Sequence, residues 1–226
     1  MVSIITCTIR DNHMNDVFEN YERQNYPEKE LIVVLNKDNM SIDRWQAKGN
    51  EYENVTIYQL PENTPLWECF NYGIEKSSYP YVFKLDDDDY YSPFYIKEQI
   101  NCFYNSNADI VGKTTSYCYL ESQKALLLRH EGNENTFVNY VFGATLGLKK
   151  EVFRKLKFPP KNMGGDRMFL KKCKEKNIKI YASSKANYVC IRKADPNHHT
   201  WKSEEKNFYR NGRLIDYTDN FRSLVE

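Results

Sequence analysis

The sequence predicts an α/β fold with a central mixed, mainly parallel sheet flanked by helices. Two observations lead to this fold class. Short β-branched and aliphatic runs alternate with segments of helical spacing along the first 110 residues, as in chains built from β-α-β units. The runs are continuously apolar, as expected of parallel strands that are covered on both faces. At 226 residues, the chain has the size of one domain, with at most a small appendage.

The first half of the chain has the order strand, helix, strand. Between the first two strands, Met14, Val17, Phe18 and Tyr21 share one helical face, and the turn-forming residues 25–27 end that helix. We predict strands at residues 2–7, 30–35, 55–58 and 81–85, and helices at residues 12–24 and 65–76.

The second half is less regular and predicts a mixed or antiparallel part of the sheet. Its last clear helix is expected to turn Met168, Phe169 and Cys173 inward and its lysines outward. From residue 201 the chain is polar, and we expect a terminal helix or a tail there. The predicted helices are 93–104, 151–156 and 166–177, and the predicted strands are 108–112, 116–120, 125–129, 142–148, 179–182 and 187–192.

Charge is unevenly distributed along the chain. The formal net charge is +1, which excludes a generally basic nucleic-acid-binding protein, so we expect no nucleic acid partner. Residues 1–148 carry 12 basic and 22 acidic side chains, whereas residues 149–193 carry 15 basic and 3 acidic ones. The basic segment is expected to attract an anionic molecule, such as the acceptor in a group-transfer reaction, or a membrane surface. A solvated helix face is the simpler interpretation.

Apolar runs and cysteines predict the compartment. The longest purely aliphatic run, residues 31–35, is far shorter than the about 20 apolar residues of a membrane-spanning helix. The first residues lack the charged region of a signal peptide. Six scattered cysteines form no C-x-x-C pair, so we interpret them as buried, reduced side chains. We therefore predict a cytoplasmic protein, with possible contact at the inner face of the membrane.

Four consecutive aspartates, Asp86 to Asp89, directly follow the fourth predicted strand. Open α/β sheets bind ligands at the carboxyl ends of their strands, and hard divalent cations prefer carboxylate oxygens. We therefore expect a divalent cation to neutralise this acidic run, with a solvated acidic turn as the alternative.

Three chemistries are compatible with an Asp-x-Asp pattern at a strand end. Glycosyl transfer from a nucleotide sugar uses the metal to hold the diphosphate. Phosphoryl transfer through a phosphoaspartate expects the pattern on the first strand with Thr or Val at the fifth position, where this chain has Tyr90 on the fourth strand. Nucleotidyl transfer expects a glycine-rich loop after the first strand, and residues 6–11 contain no glycine.

Several motifs follow one another in order along the chain. They are the strands 2–8 and 30–34, Asn71-x-Gly73-Ile74 with residues 81–89, Gly143 to Leu146, Gly164-Gly165-Asp166, and Arg192 with His199-Thr200-Trp201. Together they resemble family 2 glycosyltransferases of the GT-A fold, a Rossmann-like fold that binds nucleotide-diphospho-sugars, and the last motif is similar to a bacterial subgroup. The resemblance covers about residues 1–200. It implies one GT-A domain with a nucleotide-sugar-binding half at 1–110 and an acceptor-side half at 111–200, followed by residues 201–226.

The resemblance also implies an activity and its residues. The chain would move a sugar, with inversion, from a nucleotide-diphosphate sugar, a UDP-sugar being favoured, to a hydroxyl of a glycan or lipid-linked acceptor in cell-envelope polysaccharide synthesis. Asp166 would be the general base, and Asp88 with His199 would bind Mn²⁺ or Mg²⁺. The implied nucleotide-sugar-binding residues are Thr8, Arg10, Asn36, Asn71, Lys84, Asp86, Asp87, Asp88 and Arg192.

Two departures from the family pattern keep other functions open. The family often has Asp-Asp-Gly-Ser after its second strand, where this chain has Leu35-Asn36-Lys37-Asp38. The resemblance therefore does not identify the nucleobase of the donor. The family usually has Glu before the catalytic Asp, where this chain has Gly165. A non-catalytic nucleotide-sugar or glycan-binding module is therefore an alternative, and a Mg²⁺-dependent nucleotidyltransferase is a less favoured one.

Overall fold

The computed structural model describes residues 1–195 and 206–226 as an α/β fold with two sheets. The strands are β1 Val2–Thr8, β2 Lys29–Leu35, β3 Val55–Gln59, β4 Tyr81–Lys84, β5 Tyr90–Tyr91, β6 Ile110–Gly112, β7 Ser116–Leu120, β8 Ala125–Arg129, β9 Thr136–Phe137, β10 Gly147–Lys149, β11 Ile180–Ala182, β12 Tyr188–Arg192 and β13 Gly212–Tyr217. The helices are α1 Met14–Arg23, α2 Ile42–Gly49, α3 Leu66–Lys76, α4 Tyr95–Ser106, α5 Lys150–Lys155, α6 Gly165–Glu175, α7 Lys206–Arg210 and α8 Arg222–Val225.

The larger sheet has eight strands in the order β3-β2-β1-β4-β10-β6-β11-β9. Its first four strands are parallel, and β10 runs antiparallel between β4 and β6. Ile4 and Ile5 belong to different core clusters, the first with residues of α1 and the second with residues of α3. These helices therefore cover opposite faces of the sheet, which explains why the strands are continuously apolar.

The smaller sheet has the order β13-β8-β7-β12-β5. Strand β5 directly follows the acidic run and pairs antiparallel with β12. The two-residue strand contains Tyr90 and Tyr91, both buried. The acidic run thus lies in the connection between the two sheets, where its backbone is held at both ends.

Segment 142–148 differs from the single strand predicted by sequence. Residues Gly143–Thr145 form a 3₁₀ turn, and the strand begins at Gly147. A Cβ atom at position 147 would lie 2.5 Å from Cε1 of Phe83 in the neighbouring strand, so only glycine allows β10 and β4 to approach this closely. The turn is stabilised by Thr145, whose Oγ1 accepts a hydrogen bond from the Lys113 amide at 2.8 Å.

Three further details differ from the sequence predictions. Helix α2, which the apolar pattern did not reveal, is capped by Ser41 and anchored by buried Trp45. Met168 was expected inside but is 40% exposed. Residues 212–217 form a strand that pairs antiparallel with β8, whereas a helix or tail was expected, because the exposed edge of β8 accepts them. In the described part of the chain, no helix is long and apolar enough to cross a membrane.

Candidate functional site

The carboxyl ends of β1 and β4 bring Thr8 and Arg10 to the acidic run. Parallel pairing of these two strands places both ends at one edge of the sheet. Thr8 Oγ1 donates a 2.5 Å hydrogen bond to Oδ2 of Asp87, and Arg10 Nε donates to the same oxygen at 3.1 Å. The Arg10 Nη2 atom forms an ion pair with the other Asp87 oxygen. Asp87 is buried, so these donors stabilise a charge that water does not reach.

Two cations lie among the aspartates. The Arg10 Nη1 atom is 3.0 Å from Oδ2 of Asp88, and Lys84 Nζ forms an ion pair with Asp86. Burial opposes the charge on Arg10, but Asp87 and Asp88 together raise its pKa above the usual value. Burial lowers the pKa of Lys84. Arg10 and Lys84 therefore neutralise part of the acidic run.

Three of the four carboxylates could share one metal ion. Asp86, Asp88 and Asp89 each offer an oxygen, and these oxygens all lie within 4.8 Å of one another. Asp89 already accepts hydrogen bonds from Tyr188 Oη at 2.6 Å and from the Ile191 amide at 3.0 Å. Asp86 and Asp88 are only partly buried. Two accessible carboxylates fit Mg²⁺ or Mn²⁺, which keep water and phosphate oxygens as further ligands.

Asp89 has an environment unlike that of its neighbours. Its burial, followed by repulsion from Asp88, raises its pKa to about 7. The donors Tyr188 and Ile191 oppose that shift. Because Tyr188 lies on β12, Asp89 links the site to the second sheet. In the sequence, Asp89 is the last of four identical residues, and no pattern there indicates its separate role.

Tyr91 holds the backbone of the acidic run at Asp86 and was not predicted as a site residue. Its hydroxyl accepts a 2.8 Å hydrogen bond from the Asp86 amide and donates one of 2.7 Å to the Ala144 carbonyl. The ring is fully buried. Tyr91 thereby ties the Asp86 backbone to the 3₁₀ turn at 143–145. The signal in the sequence was weak, a tyrosine two residues beyond four aspartates.

Asp166 lies in the first turn of α6, close to the same 3₁₀ turn. Tyr140 Oη donates a 3.2 Å hydrogen bond to its Oδ2 atom, and burial raises the pKa of Tyr140 to about 12, so the donor keeps its proton at neutral pH. A Cβ atom at position 143 would lie 3.0 Å from Oδ2 of Asp166. Two hydrogen bonds thus connect Asp86 through Tyr91 to Ala144, and the neighbouring Gly143 leaves room for the Asp166 carboxylate because it has no Cβ atom.

Trp67 lies between Lys84 and the start of α6. The Lys84 ammonium is 5.6 Å from the centroid of the indole ring, a distance at which a cation is attracted to an aromatic face. The indole also contacts Gly143 and Gly165, at which a Cβ atom would lie 3.3 Å and 2.3 Å from it. Trp67 is buried and stacks on Phe158, so it fixes the relative position of the two parts of the site.

The other predicted site residues have structural partners. Asn36 Nδ2 donates to the Pro61 carbonyl at 2.7 Å. The amide group of Asn71 bonds both backbone groups of Phe158, at 2.9 Å and 3.1 Å. Arg192 is 9% exposed, with its guanidinium 5.0 Å from the ring centroid of Phe208. Ligand contacts by these three residues stay predictions, and His199 lies outside the described residues.

A family model for "Glycosyl transferase family 2" matches residues 3–174, which include the acidic run and Asp166. The chain belongs to glycosyl transferase family 2. No curated protein matches the chain. Membership in this family agrees with the GT-A fold that the sequence motifs implied.

Solved structures of GT-A glycosyltransferases have the same fold as this family 2 chain. S. aureus TarS 1–349 in complex with UDP-GlcNAc has a TM-score of 0.67 and 17% identity, covering 92% of this chain and 63% of its own. A mannosyltransferase from Pyrobaculum calidifontis, in complex with GDP-Man and Mn²⁺, has a TM-score of 0.63 and 14% identity, covering 84% of this chain and 56% of its own. This chain thus spans about three fifths of their lengths, and the likeness supports the fold.

Proposed function

We propose that the chain transfers a sugar from a nucleoside-diphosphate sugar to an acceptor hydroxyl and needs a divalent metal ion. The observation that carries this proposal is the convergence of Asp86 and Asp88 with Arg10 and Lys84 at one edge of the sheet. A site with carboxylates for a metal and cations for phosphate oxygens suits a diphosphate leaving group. Family membership supports the same reaction class.

In this proposal, Asp88 is the principal metal ligand and Asp86 contacts the metal or the ribose. Mn²⁺ or Mg²⁺, when bound, supplies a Lewis acid that stabilises the charge developing on the diphosphate. Arg10 keeps its ion pair with Asp87. Its Nη1 atom, which faces Asp88, and Lys84, which faces Asp86, can bind phosphate oxygens, to which guanidinium and ammonium groups bind well. Thr8 keeps Asp87 in place at the end of β1.

Asp166 is the proposed general base. Its carboxylate is partly exposed at the start of a helix, where the dipole favours an ionised side chain. Tyr140 orients it, and it accepts the proton of the acceptor hydroxyl as that oxygen attacks. Attack on the face opposite to the leaving diphosphate inverts the anomeric centre. The alternative role, a helix N-cap, is not favoured because Gly164 occupies the N-cap position of α6 and Asp166 lies one residue inside the helix.

The donor and acceptor classes extend this proposal. We favour a UDP-sugar as donor and a glycan or lipid-linked acceptor of the cell envelope, made on the cytoplasmic side of a bacterial membrane. TarS was solved with UDP-GlcNAc and the mannosyltransferase with GDP-Man, so proteins of this fold bind donors with either a uracil or a guanine nucleobase. The hydrogen bond from Asn36 to Pro61 leaves its amide oxygen available to a pyrimidine edge.

The proposal is tested by metal-dependent nucleotide binding in Asp88→Asn. In the wild type, UDP or GDP should raise the melting temperature with Mn²⁺ present and much less without it, because a ligand bound to the native state stabilises it. Asp88→Asn should lose this shift and lose sugar transfer. Asp219→Asn, at an exposed ion pair, is the matched control and should behave as wild type. Full transfer by Asp88→Asn would refute the metal role.

The non-catalytic alternative is separated by the product. A binding module would give the same metal-dependent shift with UDP or GDP but release no nucleoside diphosphate from any nucleotide sugar. The glycine at 165 motivates this alternative, whereas the retained carboxylate of Asp166 beside Gly143 favours catalysis. Binding without turnover across UDP- and GDP-sugars, with acceptor supplied as membrane extract, would favour the module.

A further inference from the structure

The exposed sides of α5, α6 and the loop between them carry an unbalanced positive charge. We call this surface the basic face and define it by its seven unpaired cations: Arg154, Lys155, Lys161, Lys171, Lys172, Lys174 and Lys176. All are exposed. None forms an ion pair with a residue in the ranges 1–195 and 206–226. Helices α5 and α6 pack on the same core cluster, so these side chains lie on one side of the sheet.

Exposed cations elsewhere in the described chain are often matched by acids. Lys124 pairs with Asp219 at 2.6 Å, Lys193 with Glu121 at 3.2 Å, and Arg213 with Glu131 at 2.8 Å. On the basic face, the exposed acidic residues of α5 and α6 are Glu151 and Glu175. They are too few to balance the seven cations, which leaves a surface potential that attracts an anionic partner.

Two large apolar side chains accompany the basic face. Met163 is 65% exposed and Met168 is 40% exposed, on either side of the start of α6. Met168, Lys171 and Lys172 lie at spacings of three and four residues, so they share one side of the helix. Phe169, Leu170 and Cys173 are buried on the other side. Exposed methionines among lysines combine an apolar contact with charge attraction.

We propose that the basic face docks on an anionic phospholipid bilayer, with Met163 and Met168 inserted among the acyl chains near the headgroups. Lysines attract acidic headgroups, and flexible apolar side chains add buried area at the interface. A soluble polyanion would use the lysines but would gain little from exposed methionines. The methionines therefore favour a bilayer as the partner.

Docking in this way places the start of α6, which carries Asp166, near the bilayer surface, because Met163 and Met168 flank it in the chain. This consequence rests on the proposed function: a base at the membrane surface suits an acceptor that is anchored in the lipid. The docking itself needs no transfer chemistry. Asp88→Ala should therefore lose activity and bind vesicles as wild type does, so that failure of one proposal is distinguishable from failure of the other.

The test is sedimentation with vesicles of phosphatidylcholine alone or of equal parts phosphatidylcholine and phosphatidylglycerol. The protein should bind only the anionic vesicles, and added salt should weaken binding. Each basic side chain near an anionic surface contributes a factor of about five to partitioning. The triple variant Lys171→Gln, Lys172→Gln, Lys174→Gln should therefore bind roughly a hundred-fold more weakly.

Two further variants make the test specific. Met163→Ser with Met168→Ser should weaken vesicle binding roughly ten-fold without changing capture on immobilised polyphosphate. The matched control, Lys97→Gln with Lys124→Gln and Arg213→Gln, removes three exposed charges elsewhere and should bind as wild type. Equal binding to neutral vesicles, no binding at all, or an unchanged affinity in either test variant would overturn the proposal. Unaltered vesicle binding by the methionine variant, together with loss of polyphosphate capture in the lysine variant, would indicate a soluble polyanion instead.

Discussion

Gly165 lies directly against the indole ring of Trp67. A Cβ atom at position 165 would lie 2.3 Å from Cδ1 and 2.6 Å from Cγ of that ring, which is well inside van der Waals contact. The glycine that departs from the family's usual glutamate is thus required by the packing of this chain. The same ring packs beside Gly143, and the Lys84 ammonium lies over its face. The ring therefore occupies space that a glutamate at position 165 would need.

The first prediction is that Gly165→Glu lowers stability and does not raise activity. Overpacking of a buried contact costs about 1–3 kcal/mol, here because Trp67 must move. That movement would also displace Asp166, so transfer should fall. Urea unfolding and initial transfer rates measure both effects. Met168→Ala, at an exposed position in the same helix, is the control and should change stability little. A stable, more active Gly165→Glu would contradict the steric account.

Arg10→Gln should destabilise the chain by about 3–5 kcal/mol, because it leaves the buried carboxylate of Asp87 without its main partner. Mn²⁺ or Mg²⁺ should recover part of that loss, since Arg10 no longer competes for Asp88. The measurement is the melting temperature with and without metal. We expect the metal to raise it more in the variant than in the wild type.

The control for Arg10 is Arg213→Gln. Arg213 pairs with Glu131 at 2.8 Å, but both side chains are exposed, so its loss should cost less than about 1 kcal/mol. Its response to metal should match that of the wild type. If both variants are equally stable, burial of Asp87 is not what makes the Arg10 contact strong.

The strands and the position of the acidic run were predictable from sequence because they depend on local patterns. Continuous apolar runs predicted β1, β2, β3 and β4 to within two residues at each end. A run of aspartates after a strand can be located without knowing any contact. The resemblance implied that Thr8 and Arg10, at and just beyond the end of β1, bind the nucleotide sugar, but it did not predict their contacts with Asp87.

The partners within the site were not predictable, because they depend on contacts between residues distant in sequence. The different partners of the four aspartates are an example. Asp87 binds Arg10 while Asp89 binds Tyr188, although the two carboxylates are chemically identical. Likewise, the pairing of β10 with β4 and the contact of Gly165 with Trp67 join residues more than 60 positions apart, and the sequence predicted only that this half of the sheet is mixed or antiparallel.

Asp166→Asn should lower the rate of sugar transfer by about 10²–10⁴-fold, the usual contribution of a general base. An amide cannot accept the hydroxyl proton, but it can still accept the hydrogen bond from Tyr140. Metal-dependent UDP binding should therefore stay unchanged. The measurements are the transfer rate and the thermal shift with UDP and Mn²⁺.

The control for Asp166 is Asp216→Asn, an exposed carboxyl on β13, which should transfer at the wild-type rate. Unchanged transfer in Asp166→Asn would assign the base elsewhere. Loss of UDP binding together with activity would show instead that the residue acts on the donor or on the fold.

The stability of the metal-free chain should fall as the pH rises from about 4 to about 7, because of Asp89. Its carboxyl has a pKa of about 7 in the folded chain against an ordinary value of 3.8. Between these two pKa values, the folded state holds a proton that the unfolded state has lost, so stability decreases as the pH rises. The stabilising contribution of the Asp89 carboxyl is fully present only below the lower pKa. Urea unfolding with a chelator present measures the slope. Asp89→Asn should flatten it relative to Asp219→Asn, and an equal slope in both variants would contradict the assignment to Asp89.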